Sequence, residues 1–272
     1  MEYSRKHHYE VERELADRLR VADRESRKTL YTEVYDELFN RVPNHPMLAR
    51  KRSAADQAKQ VKQQLKLIYP YLSSSKSFLE IGPGDCSLSF AVSVLVKDVI
   101  AVDVSHELTN TSNAPANFQL VITDGSDVPV PEASVDIAYS EQLIEHMHPD
   151  DAATHLDEVF KALKPGGSYL CSTPNRISGP HDVSKYFDRH ATCFHLKEYS
   201  CSELMSALKK AGFKQFRAIV GTRGKYFDLP VIVPLTFEKI ISLLPYSIAR
   251  LPGIRTLLLV RLVATKYSTQ SQ

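Results

Sequence analysis

Between residues 77 and 173 the sequence alternates short apolar runs with stretches of helical character, and this alternation restricts the fold more than any other feature. Five runs read as strands: SFLEI, DVIAVDV, FQLVIT, VDIAYS and GSYLCST. Their near-continuous hydrophobicity suits strands that are buried on both faces of a parallel sheet. Helices between such strands are typical of a doubly wound arrangement, so we expect an α/β protein.

Helices and further strands surround this alternating region. Helices are predicted at residues 149–163, where Asp150 and Asp151 favour the first turn, and at residues 200–211, which Gly212 ends. FKQFRAIVG and TLLLVRLVATK read as two more strands, the second of which closes the sheet. The sequence therefore predicts seven strands.

The remaining segments flank this core. In residues 1–72 apolar side chains recur at helical spacing, which predicts an N-terminal helical cap. This cap either covers a sheet edge or acts as a lid over a pocket. Residues 73–223 are the predicted core. Residues 224–255 are apolar but contain four prolines, which predicts a helical insertion or lid and not a membrane span. Residues 256–272 carry the predicted last strand and a tail.

Composition and charge restrict the partners. The net charge is +2, and the first 28 residues balance eight basic against seven acidic side chains, which is a poor electrostatic footprint for nucleic acid. Four cysteines without a CxxC pair argue against a disulfide framework. The charged N-terminus lacks the apolar region of a signal peptide, which predicts a cytoplasmic protein. Residues 229–261 are largely apolar and their charged residues are mostly basic, which leaves peripheral contact with a membrane possible.

The stretch LEIGPGDCS forms a glycine-rich turn directly after the first predicted strand. Such turns let the backbone approach dinucleotides, mononucleotides or S-adenosylmethionine. A dinucleotide fingerprint would need a third glycine where Ser87 stands, and the carboxylate of Glu80 would not help to hold a pyrophosphate. A Walker loop is excluded because the sequence has no GxxxxGK[ST] motif.

Further motifs follow this turn in a fixed order. They are AVDVS with Asp103 and Val104, TDGSDVPVPEASVD with Asp124 and Gly125, AYSEQLIEHM with Ser140 and Glu141, and LKPGGSYLCSTPN. In this order the sequence resembles the class I, seven-stranded S-adenosylmethionine-dependent methyltransferases, especially the small-molecule group similar to ubiquinone-biosynthesis enzymes. The resemblance covers about residues 78–221.

The resemblance implies a Rossmann-like, mostly parallel sheet with an antiparallel last strand, and S-adenosylmethionine as the cofactor. In that family the backbone at Gly82 and Gly84 wraps the methionine and ribose part of the cofactor. The acid at Glu80 helps to hold the amino group of the cofactor. The sequence departs from the family at Cys86, where many members have a third glycine.

The later motifs carry the other cofactor contacts that the resemblance implies. An acid at Asp103 would accept both ribose hydroxyls in a bidentate contact, with Val104 beside it. The segment of Asp124 and Gly125 resembles the one that contacts the adenine. Two residues at the end of the fourth strand would border the methyl-transfer centre, namely Ser140 and Glu141.

If the methyl acceptor is a hydroxyl, a general base helps to remove its proton and no metal is required in principle, so histidines near the strand ends are the candidate catalytic residues. We predict His146, which follows the fourth strand, and His181, in the long loop after the fifth strand. The same loop carries the predicted substrate-binding residues Arg176, Tyr186, His195 and Tyr199. No metal site is predicted, because the acids and histidines of this loop fit no recognised zinc spacing.

Three classes of function stay open at this stage. The first is methyl transfer to a small molecule, at oxygen in preference to nitrogen or carbon, in natural-product or cofactor metabolism. The second is methylation of RNA or protein, against which the balanced charge argues. The third is a non-catalytic module that binds S-adenosylmethionine. The expected assembly is a monomer or a homodimer.

Overall fold

The computed structural model describes residues 3–45, 54–104, 111, 113–123, 125, 127–222 and 224–267. Within these residues one sheet of eight strands has the order β3-β2-β1-β4-β5-β8-β6-β7. The strands are β1 Ser77–Ile81, β2 Asp98–Asp103, β3 Phe118–Ile122, β4 Val135–Glu141, β5 Leu163–Thr173, β6 Gln215–Thr222, β7 Lys225–Pro230 and β8 Val260–Thr265. The predicted α/β class and the five central strands are confirmed.

Strand direction creates a crevice at one edge of the sheet. β1 pairs in parallel with both β2 and β4, so that Ile81 lies opposite Val102 on one side and Ser140 on the other. β3 and β5 extend the parallel part, whereas β8 runs antiparallel between β5 and β6. The chain reverses its direction of winding between β1 and β4, which is where doubly wound proteins bind their ligands.

The C-terminal part differs from the seven predicted strands. Lys225–Pro230, which the sequence places in the helical insertion, forms β7 and pairs antiparallel with β6. β7 is an edge strand of the sheet, so Pro230, which has no backbone N–H, does not interrupt the hydrogen bonds of a central strand. The start of the predicted last strand is helical instead, because Pro252 begins a short helix that continues to Leu258 before β8 starts.

The helices cover both faces of the sheet. They are α1 Arg5–Val21, α2 Arg24–Arg41, α3 Ala54–Ile68, α4 Ser87–Ser93, α5 Pro149–Ala162, α6 Cys201–Lys210, α7 Ile232–Ser242, α8 Tyr246–Ala249 and α9 Pro252–Leu258. Local chemistry explains the predicted ones: α5 has a proline in its first turn, and α6 begins with a capping box between Ser200 and Glu203. Apolar residues of α5 and α6 pack on one face of the sheet, and those of α3 and α4 pack on the other.

The N-terminal helices form the cap. α1 and α2 share a core of their own, which Phe194 from the loop after β5 completes. The guanidinium of Arg27 in α2 donates two hydrogen bonds, of 2.7 and 2.8 Å, to the carboxylate of Asp151 in α5. Both side chains are buried. Because a buried ion pair is satisfied only with its partner in place, this contact fixes α2 above the carboxyl ends of the strands.

The insertion between β7 and β8 consists of α7, α8 and α9. Glu238 of α7 is buried and accepts hydrogen bonds from the side-chain amide of Asn175 (2.8 Å) and from the backbone N–H of Cys201 (2.6 Å). These bonds attach the insertion to the loop after β5 and to the start of α6. Among the described residues, no helix has the length and apolar character that a membrane span needs.

Candidate active site

The glycine turn after β1 adopts a backbone that side chains disfavour. Gly82 and Gly84 have φ values of +70° and +56°. A Cβ on Gly82 would lie 3.3 Å from the side chain of Leu143, which follows β4. Cys86 has φ 60° and ψ 9°, a left-handed conformation directly before α4. This conformation explains the preference for glycine at that position among the methyltransferases that the sequence resembles.

Glu80 stands next to this turn on β1 and is buried. Its carboxylate accepts a hydrogen bond of 2.5 Å from the hydroxyl of Ser89 in α4. Burial, with the nearby acid Glu141 as a smaller cause, raises the pKa of Glu80 to about 8. A carboxylate held in so little solvent favours a cationic partner, and the ammonium group of S-adenosylmethionine would supply one.

Asp103 ends β2, one strand away from the glycine turn. Its Oδ1 accepts a hydrogen bond of 2.7 Å from the N–H of Val104. Gly125, with φ +101°, lies so close to Val104 that a Cβ would be 3.2 Å from its side chain and 3.5 Å from the ring of Tyr31. Asp124 lies outside the described residues. The two acids of the predicted cofactor site, Glu80 and Asp103, therefore end adjacent strands of the crevice.

The end of β4 forms the opposite wall of the crevice. The hydroxyl of Ser140 is buried and lies 2.7 Å from that of Tyr169 on β5, so its polar atom is used within the sheet. Glu141 accepts a hydrogen bond of 2.6 Å from the side-chain amide of Gln64 in α3. Gln142 then turns the chain with φ +54°. Of the two predicted residues at this strand end, Ser140 therefore bonds within the sheet, whereas Glu141 bonds to helix α3.

His146 lies in a 3-10 turn, Ile144–His146, shortly after β4. Its Nδ1 is 3.1 Å from the carbonyl oxygen of Phe194 and 3.3 Å from the hydroxyl of Tyr35 in α2. Because a carbonyl only accepts, Nδ1 carries the proton and the lone pair is on Nε2. Burial, with the charge of His195 as a smaller cause, lowers the pKa of His146 to about 3. The ring is neutral at physiological pH.

His195 and Glu145 complete a polar cluster around this histidine. The rings of His146 and His195 meet edge to face, with centroids 4.8 Å apart. Nδ1 of His195 is 2.7 Å from Oε1 of Glu198. Oε2 of Glu145 accepts a bond of 2.8 Å from Thr173, whereas its buried Oε1 has no hydrogen-bond partner among the described residues. Burial raises the pKa of Glu145 to about 7.

Ligand atoms of Glu145, His146 and His195 come within 4.8 Å of one another, which is close enough for a shared metal ion. Each histidine makes a directional protein hydrogen bond through Nδ1, to a carbonyl or to a carboxylate. Such bonds leave the lone pair on Nε2, and they set the tautomer both in metal sites and in sites that handle protons. The cluster therefore places a neutral imidazole, a buried carboxyl group and a second imidazole together.

The structure locates the other predicted residues in three different environments. Both ring nitrogens of His181 make protein contacts, Nδ1 with Arg255 at 2.6 Å and Nε2 with the carbonyl of Asn175 at 3.0 Å. Tyr199 is buried in the main core. Tyr186 is exposed, with the guanidinium of Arg5 stacked on its ring. The ring nitrogens of His181 are thus committed to holding the loop.

Arg176 lines a surface cavity of about 620 Å³ beneath the insertion. Its Nε donates a hydrogen bond of 3.0 Å to Glu203 of α6. The cavity is also lined by Ile177, Leu235, Ile241 and Leu244, together with polar residues of α6 and α7. The lining therefore mixes apolar side chains with charged ones.

Three residues that sequence reasoning did not select face the site. Tyr31 and Tyr35 lie in the segment predicted as the helical cap. The ring of Tyr31 is 3.5 Å from the place where a Cβ of Gly125 would stand, and the hydroxyl of Tyr35 contacts His146. Their spacing of four residues puts both on one face of α2, which was the available signal. Glu145 precedes His146 in EHM, but nothing in the sequence indicates that its carboxyl group is buried.

The sheet order, the glycine turn and the acids of β1 and β2 are similar to those of the class I S-adenosylmethionine-dependent methyltransferases, whose cofactor is S-adenosylmethionine. Residues 79–171 match the protein family described as "Methyltransferase domain". A probable S-adenosylmethionine-dependent methyltransferase of Mycolicibacterium smegmatis is 33% identical over 144 residues, which are 52% of this chain and 53% of that protein. A probable methyltransferase of Mycobacterium tuberculosis is 30% identical over 141 residues, 52% of this chain and 49% of that protein. The chain thus spans about half the length of these curated relatives.

Solved structures share the fold at low sequence identity. An S-adenosylmethionine-dependent methyltransferase from Archaeoglobus fulgidus superposes with a TM-score of 0.53 at 18% identity, covering 76% of this chain and 94% of that chain. Phosphoethanolamine N-methyltransferase 1 of Haemonchus contortus superposes with a TM-score of 0.59 at 12% identity, covering 92% of this chain and 51% of that chain. At these identities the similarity is one of fold.

Proposed function

We propose that this protein transfers the methyl group of S-adenosylmethionine to a hydroxyl group of a small molecule. One observation carries the choice of acceptor chemistry. A neutral imidazole at His146 and a buried carboxyl group at Glu145 stand just beyond β4, shortly after Leu143, which lies next to Gly82. One oxygen of Glu145 has no hydrogen-bond partner among the described residues. A buried unpartnered oxygen calls for a polar ligand group, and a hydroxyl can donate to it.

In this proposal the cofactor supplies an activated methyl group, and the protein positions the acceptor and handles its proton. As the new O–CH3 bond forms and the S–CH3 bond breaks, the hydroxyl proton would pass to Nε2 of His146 and on to the carboxylate of Glu145, whose pKa of about 7 makes it the stronger base of the two. Tyr35 and the carbonyl of Phe194 orient the ring. Tyr31 and Tyr35 of α2 would close the site against water, which favours the cap as a lid.

The test pairs a reaction with a binding measurement. Purified protein is incubated with S-adenosylmethionine and matched hydroxyl and amine compounds, and products are detected by a gain of 14 Da. We expect a hydroxyl product, and we expect His146→Asn to lower kcat by about 100-fold while S-adenosylmethionine binds as in the wild type. His148→Asn serves as the matched control nearby.

An amine acceptor is the second candidate, because Oε1 of Glu145, which has no hydrogen-bond partner among the described residues, would also attract an ammonium group. Products formed only from amines would replace the hydroxyl assignment. Wild-type turnover in His146→Asn would remove that residue as the base. Binding of the cofactor without turnover on any compound would favour a non-catalytic binding module.

We also propose that the insertion contacts a membrane surface, which would give access to an apolar acceptor. Large apolar side chains are exposed along α7 to α9 and their connections: Ile232, Val233, Ile240, Leu243, Leu244, Tyr246, Leu251 and Leu257. The exposed charged residues among them, Lys239 and Arg250, are basic. This combination fits an anionic lipid surface, with apolar groups in the acyl boundary and cations at the headgroups.

Sedimentation with vesicles tests this contact. We expect binding to vesicles of phosphatidylcholine and phosphatidylglycerol that weakens about tenfold in Leu243→Ser/Leu244→Ser, and that falls with salt. Val94→Ser, which changes an exposed apolar residue on the other side of the molecule, is the control. Equal sedimentation of the wild type and the double variant would contradict the proposal.

The cytoplasm is the location that we propose for the protein. The four cysteines are free and buried, as expected for a chain that folds in a reducing compartment.

A further inference from the structure

Three ligand-type atoms meet in the cap, away from the cofactor crevice. Nε2 of His8 lies 2.5 Å from Oε2 of Glu12 and 2.9 Å from Nε2 of His45. His8 and Glu12 are four residues apart on α1, and therefore on one face of that helix. His45 follows the end of α2. All three side chains are buried.

The chemistry of this cluster favours a shared cation. Each of the three atoms presents a lone pair when the imidazoles are neutral and the carboxyl group is ionised. If Nε2 of His8 carries a proton, two acceptors compete for the single N–H, namely the carboxylate of Glu12 and the imidazole of His45. A divalent ion would accept electron pairs from all three atoms at once, and burial strengthens that attraction.

We propose that His8, Glu12 and His45 bind a divalent transition-metal ion of the zinc type. Two imidazole nitrogens and one carboxylate oxygen are ligands that zinc prefers, and three protein ligands leave a fourth position for water. Bonds of about 2.0 to 2.2 Å in a tetrahedral site separate ligand atoms by about 3.3 Å. From their separations of 2.5 and 2.9 Å, Oε2 of Glu12 and Nε2 of His45 would each move away from Nε2 of His8 by less than 1 Å to admit the ion.

Groups around the cluster are placed to orient these ligands. The hydroxyl of Tyr3 lies 2.7 Å from Nδ1 of His8, on the opposite side of the ring from the proposed ion. Oε1 of Glu12 accepts a hydrogen bond of 3.0 Å from the backbone N–H of Phe194. Such outer contacts fix the direction of metal ligands. The ring of Phe39 stands edge to face with His45 and closes one side.

The ion would have a structural role. It would join α1 to the end of α2 and, through Glu12, to the loop that carries Phe194 and His195. The cap would then be held in one position over the methyltransferase site. This inference does not rest on the proposed acceptor, because the cluster lies in the cap and makes no use of the cofactor residues.

Metal analysis of the full chain tests the site. Protein depleted with EDTA is incubated with zinc chloride, desalted and measured by elemental analysis and by thermal unfolding. We expect about one zinc ion per chain and a rise in Tm of about 5 °C. His45→Gln and Glu12→Gln should lose the ion and the rise in Tm. His7→Gln should keep both, because the ring of His7 bonds to the carbonyl of Arg41 at the surface.

X-ray absorption of the zinc-loaded wild type gives a readout that needs no variant to fold. Two imidazole ligands and one carboxylate are expected, and because Glu145, His146 and His195 offer the same set of ligands, the spectrum should be unchanged in His146→Asn. Wild-type protein that retains no zinc, or His45→Gln that retains it in full, would overturn the proposal. Loss of zinc from His7→Gln to the same degree as from His45→Gln would overturn it as well.

Discussion

Replacing Glu80 with glutamine should stabilise the unliganded protein at alkaline pH. The pKa of this buried carboxyl group is about 8 in the folded protein, against an ordinary value of 4.5. Because the folded state holds the proton more tightly than the unfolded state, ionisation removes stability progressively as the pH rises from about 4.5 to about 8. Glutamine cannot ionise, so the variant escapes this loss.

The expected gain in the free energy of unfolding is about 4 to 5 kcal/mol at pH 8.5, and it should nearly vanish at about pH 4.5. Denaturant unfolding at the two pH values measures it. The control is Glu132→Gln, which changes an exposed acid and should show no such pH dependence. A variant no more stable than the wild type at pH 8.5 would mean that the carboxyl group ionises without penalty.

The same substitution should weaken the cofactor. We expect S-adenosylmethionine to bind Glu80→Gln about tenfold more weakly, because the variant lacks the negative charge opposite the ammonium group. Calorimetry in buffers of different ionisation enthalpy gives a second readout. Near pH 7 the wild type should release a proton from Glu80 on binding, and the variant should not.

Replacing Asp103 with alanine should lower the affinity for S-adenosylmethionine by about 100-fold, with little effect on folding. Two charge-assisted hydrogen bonds to the ribose diol would be lost, each of which contributes about 1.5 to 3 kcal/mol. Asp98→Ala, at the other end of β2, is the matched control and should bind normally. Calorimetric titration with S-adenosylmethionine and S-adenosylhomocysteine measures both variants. Unchanged affinity in Asp103→Ala would remove the ribose assignment.

Local patterns in the sequence were sufficient for the central sheet and for the class of cofactor. Five buried strands show as apolar runs because a parallel strand excludes water on both faces. The turn after β1 is recognisable from Gly82 and Gly84, because its backbone requires positive φ values at these positions. α5 and α6 begin with chemistry that is visible within a few residues. Each of these signals depends on neighbours in the chain.

Other features depended on contacts between distant residues. Lys225–Pro230 became a strand because the edge of β6 was free to pair, and an edge strand lacks the apolar run of a buried one. The predicted loop histidines also separated in role: His195 lies beside His146, whereas both ring nitrogens of His181 are occupied by the loop and by Arg255.

By itself the sequence determined a doubly wound sheet and a turn suited to S-adenosylmethionine, since periodicity and glycine chemistry act over a few residues. Only the tertiary structure brought Tyr35 to His146, over a separation of 111 residues, and left one oxygen of Glu145 with no hydrogen-bond partner among the described residues. Only the tertiary structure likewise brought His45 to His8. Burial and the approach of distant side chains decide such contacts, and no short stretch of sequence carries them.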